Sequence, residues 1–384
     1  MSCRSDASRL KPMLLNQTQR SLAPDLARGT MLVLVALANS TFYLYGRPYG
    51  PRQHVFEHDM LDRIVSVLNV TLVELRGYPM FAAMFAYGIV QMLRRLPEND
   101  GKKVVRRRLR WMIAFGFVHA VLLFPADILG LYGVLGFILL AFMRAKDRTL
   151  LTVAAWWLVV VAVVQGLIYT TASYSAEREF FWSFEVDDPV TALLLRPLEW
   201  VLTPFGILGV GSAALVGIWA ARRGVLAAPE QHRALLTRTA VIGLALAVIG
   251  GLPMGLVVGR FWTPTSEAVM WTLSGLHSVT GVAGGLGYAA LIGLFVTKTR
   301  GGPVVRAVSA CGQRSLSCYL FQSVVFVALL MPYTLGLGGV LGSAEVALVA
   351  IGTWLVSVLL ADQLRRMGKR GPAEVLLRRL TYRR

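Results

Sequence analysis

The stretch Arg110–Phe142, "RWMIAFGFVHAVLLFPADILGLYGVLGFILLAF", decides the fold class because it consists of two apolar segments joined by a short turn. Apolar runs close to the thickness of a bilayer are typical of membrane-spanning helices. Proline followed by aspartate at Pro125–Asp127 is typical of a turn or a helix start. The stretch therefore predicts a tight helical hairpin inside a membrane.

The same apolar character extends along the whole chain. Of its 384 residues 55% are hydrophobic and 16% are charged, with a mean hydropathy of +0.59. A soluble protein of this size is about a quarter charged. We therefore predict an all-α, polytopic transmembrane helical bundle of about ten spans. The candidate spans are roughly 29–46, 77–94, 109–124, 127–143, 149–170, 198–221, 238–258, 268–297, 315–335 and 344–362.

The distribution of positive charge predicts the orientation of the bundle. The net charge is +18, and 32 of the 39 lysines and arginines fall on one side if the N-terminus is cytoplasmic. Such a bias places the basic loops in the cytoplasm, so both termini are predicted to be cytoplasmic in a multi-pass protein of the plasma (inner) membrane. Topology and anionic membrane lipids explain the basic excess, and nucleic acid is not an expected partner.

Three regions follow from this topology. Residues 1–28 form a predicted cytoplasmic tail, 29–300 a transmembrane core, and 301–384 the last two spans with a cytoplasmic interfacial helix. An amphipathic helix is predicted at the outer interface within 46–74. The small-residue spacing of Gly281 and Gly285 in the eighth span favours close helix packing. The sequence predicts no metal site and no bound cofactor.

The hairpin carries the most informative polar residues. His119 lies a few residues before the turn, Tyr132 a few residues after it, and Asp127 at its lip. A carboxylate beside an imidazole fixes the tautomer and stabilises the cation, so His119 and Asp127 form a candidate base and its orienting group. The alternative is structural, with Asp127 capping the second helix of the hairpin.

Polar residues at the start and middle of the first span pose a similar choice. Asp25 and Arg28 are three residues apart and share one helix face at the inner interface. They are either a cap with a headgroup anchor, or a site where an arginine meets a phosphate-bearing ligand. Asn39 either bonds a neighbouring helix or lines a cavity.

Later spans contain further polar candidates. His277 in the eighth span is a candidate proton carrier or ligand contact, or else a bond between helices. Tyr319, Gln322 and Ser323 in the ninth span either bond neighbouring helices or line a cavity.

Five segments together resemble the YeiB family of uncharacterised polytopic membrane proteins. They are "DLARGTMLVLVALAN" (25–39), "MFAAMFAYG" (80–88), "RRRLRWMIAFGFVHAVLLFPADILGLY" (106–132), "GQRSLSCYLFQS" (312–323) and "GPAEVLLRRLTY" (371–382). The resemblance covers nearly the whole chain. The sequence departs from the family where Gln313 precedes Arg314 and where Ser317 and Cys318 replace threonine and asparagine.

The YeiB family in turn resembles membrane acyltransferases that include heparan-α-glucosaminide N-acetyltransferase. Those enzymes share a similar Asp-x-x-Arg-Gly motif and pass an acyl group from cytoplasmic acyl-CoA to an acceptor across the membrane. The resemblance implies that Arg28, helped by the arginines at 106–108, holds the phosphates of acyl-CoA as donor substrate. His119, oriented by Asp127, would deprotonate the acceptor, and Asn39 or Tyr132 would donate to the oxyanion.

Two other functions use the same residues differently. A small-molecule transporter would use the cavity without covalent chemistry, with His119 and Asp127 relaying protons. A non-enzymatic membrane scaffold would leave the hairpin structural. The expected partners are membrane lipids and a small-molecule, glycan or lipid acceptor, and a homo-oligomer is left open.

Overall fold

The computed structural model describes residues 22–169, 175, 177–299 and 301–382. Most of the predicted N-terminal tail, residues 1–21, lies outside this part. Within the described part the chain forms fourteen α-helices. They are α1 Leu22–Ser40, α2 Met60–Leu72, α3 Gly77–Arg95, α4 Glu98–Leu122, α5 Ile128–Phe142, α6 Asp147–Ile168, α7 Pro189–Leu202, α8 Ile207–Arg222, α9 Arg233–Val258, α10 Glu267–Lys298, α11 Pro303–Gln313, α12 Ser315–Leu330, α13 Ser343–Arg366 and α14 Pro372–Tyr382.

The structure confirms the all-α class, and each of the ten candidate spans overlaps one of these helices. Six helical segments among the described residues are long and apolar enough to cross a membrane. A seventh is formed if α11 and α12, which meet at 85°, are one broken span. The number of ten spans is therefore not confirmed. The three predicted spans that are not among these segments correspond to α3, α4 and α5. Helix α4 is charged along its first half, and α5 is only 15 residues long.

The hairpin that decided the fold class is present. Helix α4 ends at Leu122, α5 begins at Ile128, and the two helices pack against each other. Gly116 lies where they meet, and a Cβ atom there would collide with the Gly130 amide and the Asp127 carboxylate. The glycine therefore lets the two helices approach closely enough for Asp127 to face α4.

The glycine-rich face of α10 packs closely, as predicted. A Cβ atom on Gly281 would lie 2.6 Å from the Leu75 carbonyl oxygen, and a Cβ atom on Gly285 would lie 2.6 Å from that of Arg76. These carbonyls belong to the turn between α2 and α3. Side chains at these glycines would therefore separate α10 from the start of α3.

Two amphipathic helices flank the bundle. Helix α2 exposes Leu61 and Leu68, whose exposed fractions are 65% and 50%, as expected for a helix at a membrane interface. Helix α14 was predicted to lie at the cytoplasmic interface. It also packs against α4 and α12, and it buries Leu377 between them.

Candidate functional site

A cavity of about 790 Å³ lies between α1, α3, α4, α5, α12 and α14. Its wall contains six arginines and two acidic residues, Asp25 and Glu374. The arginines are Arg28, Arg95, Arg108, Arg314, Arg370 and Arg378. The exposed ones mark its mouth, whereas buried Ile128 and Tyr319 line its inner end. All six arginines belong to segments predicted to be cytoplasmic or to border the cytoplasm.

Three glycines from the quoted motifs shape the mouth. Gly29 of α1 packs on the Val308 carbonyl of α11, and Gly312 of α11 packs on the Asp25 carbonyl of α1. A Cβ atom on Gly88 of α3 would lie 3.0 Å from an Nη atom of Arg28. Helices α1, α3 and α11 therefore come close enough to group their polar side chains at one place.

Asp25 and Arg28 both line this mouth. An Nη atom of Arg28 lies 3.4 Å from Asp25 Oδ1, and Gln313 Nε2 donates to Asp25 Oδ2 at 3.0 Å. Asp25 therefore links the first helix to α11 and also faces the arginine that was expected to meet phosphates. Of the three arginines at 106–108, only Arg108 lines the cavity.

Several arginines of the mouth are available for a ligand. Arg95, Arg108 and Arg370 form no hydrogen bond or ion pair with any residue that the structure describes. Arg314 donates to the backbone carbonyls of Ala310 and Lys369. The mouth therefore combines fixed and unpaired guanidinium groups, which suits a multiply charged anion.

His119 forms two short hydrogen bonds with residues of other segments. Its Nδ1 atom lies 2.8 Å from Asp127 Oδ1, and its Nε2 atom lies 2.8 Å from Ser323 Oγ of α12. The second oxygen of Asp127 accepts from the Gly130 amide at 2.6 Å and so caps α5. Asp127 therefore contacts His119 and caps α5 at the same time, a geometry that fits both the base with its orienting group and a structural bond that closes the hairpin.

When Asp127 is a carboxylate and the His119 ring is neutral, the hydrogen bonds favour one tautomer of that ring. An ionised carboxylate only accepts, so Nδ1 of neutral His119 donates to Asp127. Nε2 then has a free lone pair and accepts from the Ser323 hydroxyl. The His119 ring thus lies between a serine hydroxyl and a carboxylate, which is the order of side chains in a serine–histidine–aspartate triad.

Tyr319 lies between this triad and the cavity. Its ring centroid lies 4.9 Å from that of His119, and Tyr319 lines the inner end of the cavity. His119, Asp127 and Ser323 are buried and do not line the cavity themselves. Gln322 is also buried, and neither atom of its amide has a hydrogen-bond partner among the described residues. Tyr319 therefore separates the cavity from the triad.

Asn39 and Tyr132 are not brought to His119. The Tyr78 hydroxyl donates to Asn39 Oδ1 at 2.7 Å, and the Tyr132 hydroxyl donates to the Tyr78 carbonyl at 2.8 Å. The Tyr132 hydroxyl is therefore engaged with α3, and the Asn39 side chain is bonded to α3 through its carbonyl oxygen. The unpartnered amide of Gln322 is a better candidate donor.

His277 belongs to a different polar cluster. Arg76 donates to its ring at 3.1 Å, so that ring nitrogen must be an unprotonated acceptor. Glu74 lies close by and pairs with Arg52 at 2.6 Å and with His54 at 3.0 Å. His277 is thus held by neighbouring helices and does not line the cavity.

Sequence reasoning missed two features of the site. Ser323 was considered only as a polar residue of its helix, and its pairing with His119 across 204 residues has no local signal. Helix α14 was not expected to line a cavity. Both segments are among the five motifs that resemble the YeiB family, and this was the signal in the sequence that could have pointed to them.

The fold and the site define a polytopic helical membrane protein with an arginine-rimmed cavity that ends beside a buried triad. Residues 220–384 match the family described as "Protein of unknown function (DUF418)". The chain is 26% identical over 413 residues to "Uncharacterized protein YxaH" of Bacillus subtilis (strain 168), with 98% of this chain and 97% of that protein covered. It is 25% identical over 400 residues to "Uncharacterized protein YeiB" of Escherichia coli (strain K12), with 95% and 97% covered.

These matches confirm the resemblance to the YeiB family that the five motifs predicted. The names of both relatives assign no activity. The resemblance to membrane acyltransferases is not tested by them and stays a prediction.

Proposed function

We propose that this protein is an acyltransferase of the plasma membrane that takes an acyl group from cytoplasmic acyl-CoA and delivers it to an acceptor from the outer side. One observation carries this proposal. The arginine-rimmed cavity ends at Tyr319, whose ring packs on the ring of His119. In this proposal the phosphates of the donor would lie among the arginines at the mouth, and the base would lie behind Tyr319 at the other end of the cavity.

The mouth suits the charged part of the donor. Coenzyme A carries a diphosphate and a further phosphate, and guanidinium groups bind phosphate oxygens in pairs of hydrogen bonds. Arg95, Arg108 and Arg370 are unpaired among the described residues and would supply such bonds. The cavity volume of about 790 Å³ is in the range of sites that enclose whole small molecules.

The inner end suits the thioester. Phe81, Phe85 and Met112 line the same cavity as Tyr319, so the acyl chain would have apolar side chains beside it. His119 would remove a proton from an attacking hydroxyl or amine, and Asp127 would stabilise the imidazolium that forms. A positioned base of this kind contributes about 10²- to 10⁴-fold to a reaction rate.

The test uses the purified protein in lipid nanodiscs with coenzyme A and acetyl-CoA. We expect Arg108→Gln with Arg370→Gln to weaken coenzyme A binding by at least about tenfold in calorimetry, which corresponds to about 1.4 kcal/mol. His119→Gln should retain binding and slow the release of free coenzyme A, measured by chromatography.

The matched control is Arg379→Gln. Arg379 follows the cavity-lining Arg378 on α14 but lies outside the cavity wall, so its replacement should leave coenzyme A affinity unchanged. Wild-type protein that does not bind coenzyme A would overturn the proposal. Solute flux in vesicles without release of coenzyme A would instead favour the transporter.

A further inference from the structure

Ser323 is the third member of the polar chain that runs through His119. Its Oγ atom lies 2.8 Å from His119 Nε2, and it is itself buried. Its second contact, to the Tyr319 carbonyl within the same helix, is long at 3.4 Å. The hydroxyl proton therefore points to the imidazole, and the lone pairs of Oγ are left available for bond formation.

We propose that Ser323 is a nucleophile that carries the acyl group as a covalent ester between donor and acceptor. The inference rests on the proposed acyl transfer and names the residue through which it passes. Direct transfer would need donor and acceptor in the site together. An acyl-serine would let them enter at different times.

The chemistry balances without a further reactant. Ser323 Oγ attacks the thioester carbonyl while its proton moves to His119 Nε2. The carbon–sulfur bond then breaks, and the departing coenzyme A thiolate takes that proton and leaves as a thiol. In the second half, an acceptor hydroxyl or amine gives its proton to His119 and attacks the ester, and Ser323 leaves with the proton restored.

The position of Ser323 relative to the cavity supports this relay. It follows Tyr319 by four residues, so it lies one helical turn, about 6 Å, beyond the residue that closes the inner end. The thioester would reach Ser323 when the Tyr319 ring turns aside. After coenzyme A leaves, the return of that ring would separate the ester from the donor cavity.

Gln322 has an amide group that would donate to the oxyanion formed in each half of the reaction. Its amide is buried and has no partner among the described residues, and it shares the face of Tyr319 on the next turn. A buried amide without a partner costs free energy in the resting state. An oxyanion formed beside it would accept the missing hydrogen bond.

The experiment is acylation in the absence of an acceptor. Wild-type protein in nanodiscs is mixed with acetyl-CoA, and the released coenzyme A and the acetylated peptides are quantified by chromatography and mass spectrometry. We expect one coenzyme A released per protein and an acetyl group on Ser323. Ser323→Ala should bind coenzyme A with unchanged affinity and show neither signal.

Ser212→Ala is the matched control, because Ser212 is as buried as Ser323 but its hydroxyl bonds only the Ala154 carbonyl within the described part of the chain. It should behave as the wild type. A fluorophosphonate probe gives a second readout on folded wild-type protein, where labelling of Ser323 should be blocked by acetyl-CoA and slowed by His119→Gln.

The outcomes separate the two proposals. Coenzyme A release that persists in Ser323→Ala, with no modified serine in the wild type, would overturn the covalent intermediate and leave acyl transfer in place. Wild-type protein that neither binds coenzyme A nor releases it from acetyl-CoA would overturn both.

Discussion

Asp127 uses each of its carboxylate oxygens for a different neighbour. One oxygen accepts from the Gly130 amide and starts α5, and the other accepts from His119 and fixes its tautomer. The cap holds the carboxylate in place, so the orientation of His119 depends on where α5 begins. A change at this residue therefore acts on the helix start and on the base together.

Asp127→Asn separates the two roles. The asparagine oxygen can still cap α5, but its NH₂ group then faces Nδ1 and forces His119 to carry its proton on Nε2. His119 can no longer accept from Ser323, and we expect coenzyme A release to fall by about 10⁴-fold, as for the same change in other triads. The measurement is release from acetyl-CoA alongside thermal unfolding.

Asp188→Asn is the matched control for this prediction. Asp188 caps α7 through bonds from the amide and hydroxyl of Thr191, which lower the pKa of its carboxyl, and it has no catalytic neighbour. Activity should be unchanged in this variant. Equal activity of Asp127→Asn and the wild type would contradict the role given to Asp127.

The pairing of His119 with Asp127 could be predicted because both residues lie close in sequence across one turn. Helix geometry alone keeps them near each other. Ser323 comes from α12, and which face of α12 meets α4 depends on the packing of the whole bundle. The partners of Asn39 and Tyr132 also depend on the packing of the whole bundle, in which both side chains bond Tyr78.

At the scale of helices, motif glycines position the site. Gly116 brings the start of α5 against α4, and Gly29 with Gly312 brings α11 against α1. Each glycine lies at a contact where the backbone of another helix takes the place of a side chain. The glycines of the motifs therefore indicate close helix packing, but the sequence does not show which helix each glycine contacts.

Gly116→Ala should move α5 away from α4, because the added Cβ atom would collide with the Gly130 amide and the Asp127 carboxylate. Overpacking of this kind costs about 1–3 kcal/mol. We expect a lower unfolding temperature and a loss of coenzyme A release together. Gly352→Ala on α13, where an added Cβ atom meets nothing within 4 Å, should change neither.

One carboxylate of helix α14 bonds the start of α12, in addition to the packing of α14 against the bundle. Glu374 accepts from the amides of Leu316 and Ser317 at the start of α12, and from the Ser317 hydroxyl. The amphipathic sequence of α14 predicted a membrane-interface helix, since no local pattern shows that a glutamate will cap a helix some sixty residues earlier. The cap makes α14 one wall of the cavity.

Glu374→Ala should leave the α12 amides unpaired and release α14. Loss of a helix cap costs about 0.5–2 kcal/mol, so the unfolding temperature should fall moderately. Coenzyme A binding should weaken as well, because Leu377 and Arg378 of α14 line the cavity. Glu374→Gln retains an acceptor oxygen and should show a smaller loss in both measurements. Unchanged coenzyme A affinity in Glu374→Ala would contradict a role for α14 in the site.

At the scale of the whole molecule, the arginines assigned to the outer side differ from three arginines of the cavity wall. The seven assigned to the outer side all donate to carbonyl or carboxylate oxygens of the protein. They are Arg47, Arg52, Arg63, Arg76, Arg178, Arg196 and Arg260. At the cavity, Arg95, Arg108 and Arg370 have no such partner among the described residues. The arginines assigned to the outer side thus stabilise the fold, and these three arginines of the cavity wall are the candidates to pair with an anion.

The proposed donor requires the cavity mouth to face the cytoplasm, and cysteine labelling tests this. The background is Cys3→Ser, in which the remaining Cys311 and Cys318 are buried. Single cysteines then replace Gln231 or Thr265, which are exposed and lie on opposite sides of the membrane in the predicted topology. The lysine and arginine bias predicts that a membrane-impermeant maleimide labels Thr265→Cys in right-side-out vesicles and labels Gln231→Cys only after permeabilisation. The reverse pattern would put the arginine-rimmed mouth outside the cell, where cytoplasmic acyl-CoA could not reach it, and acyl transfer from that donor would be wrong.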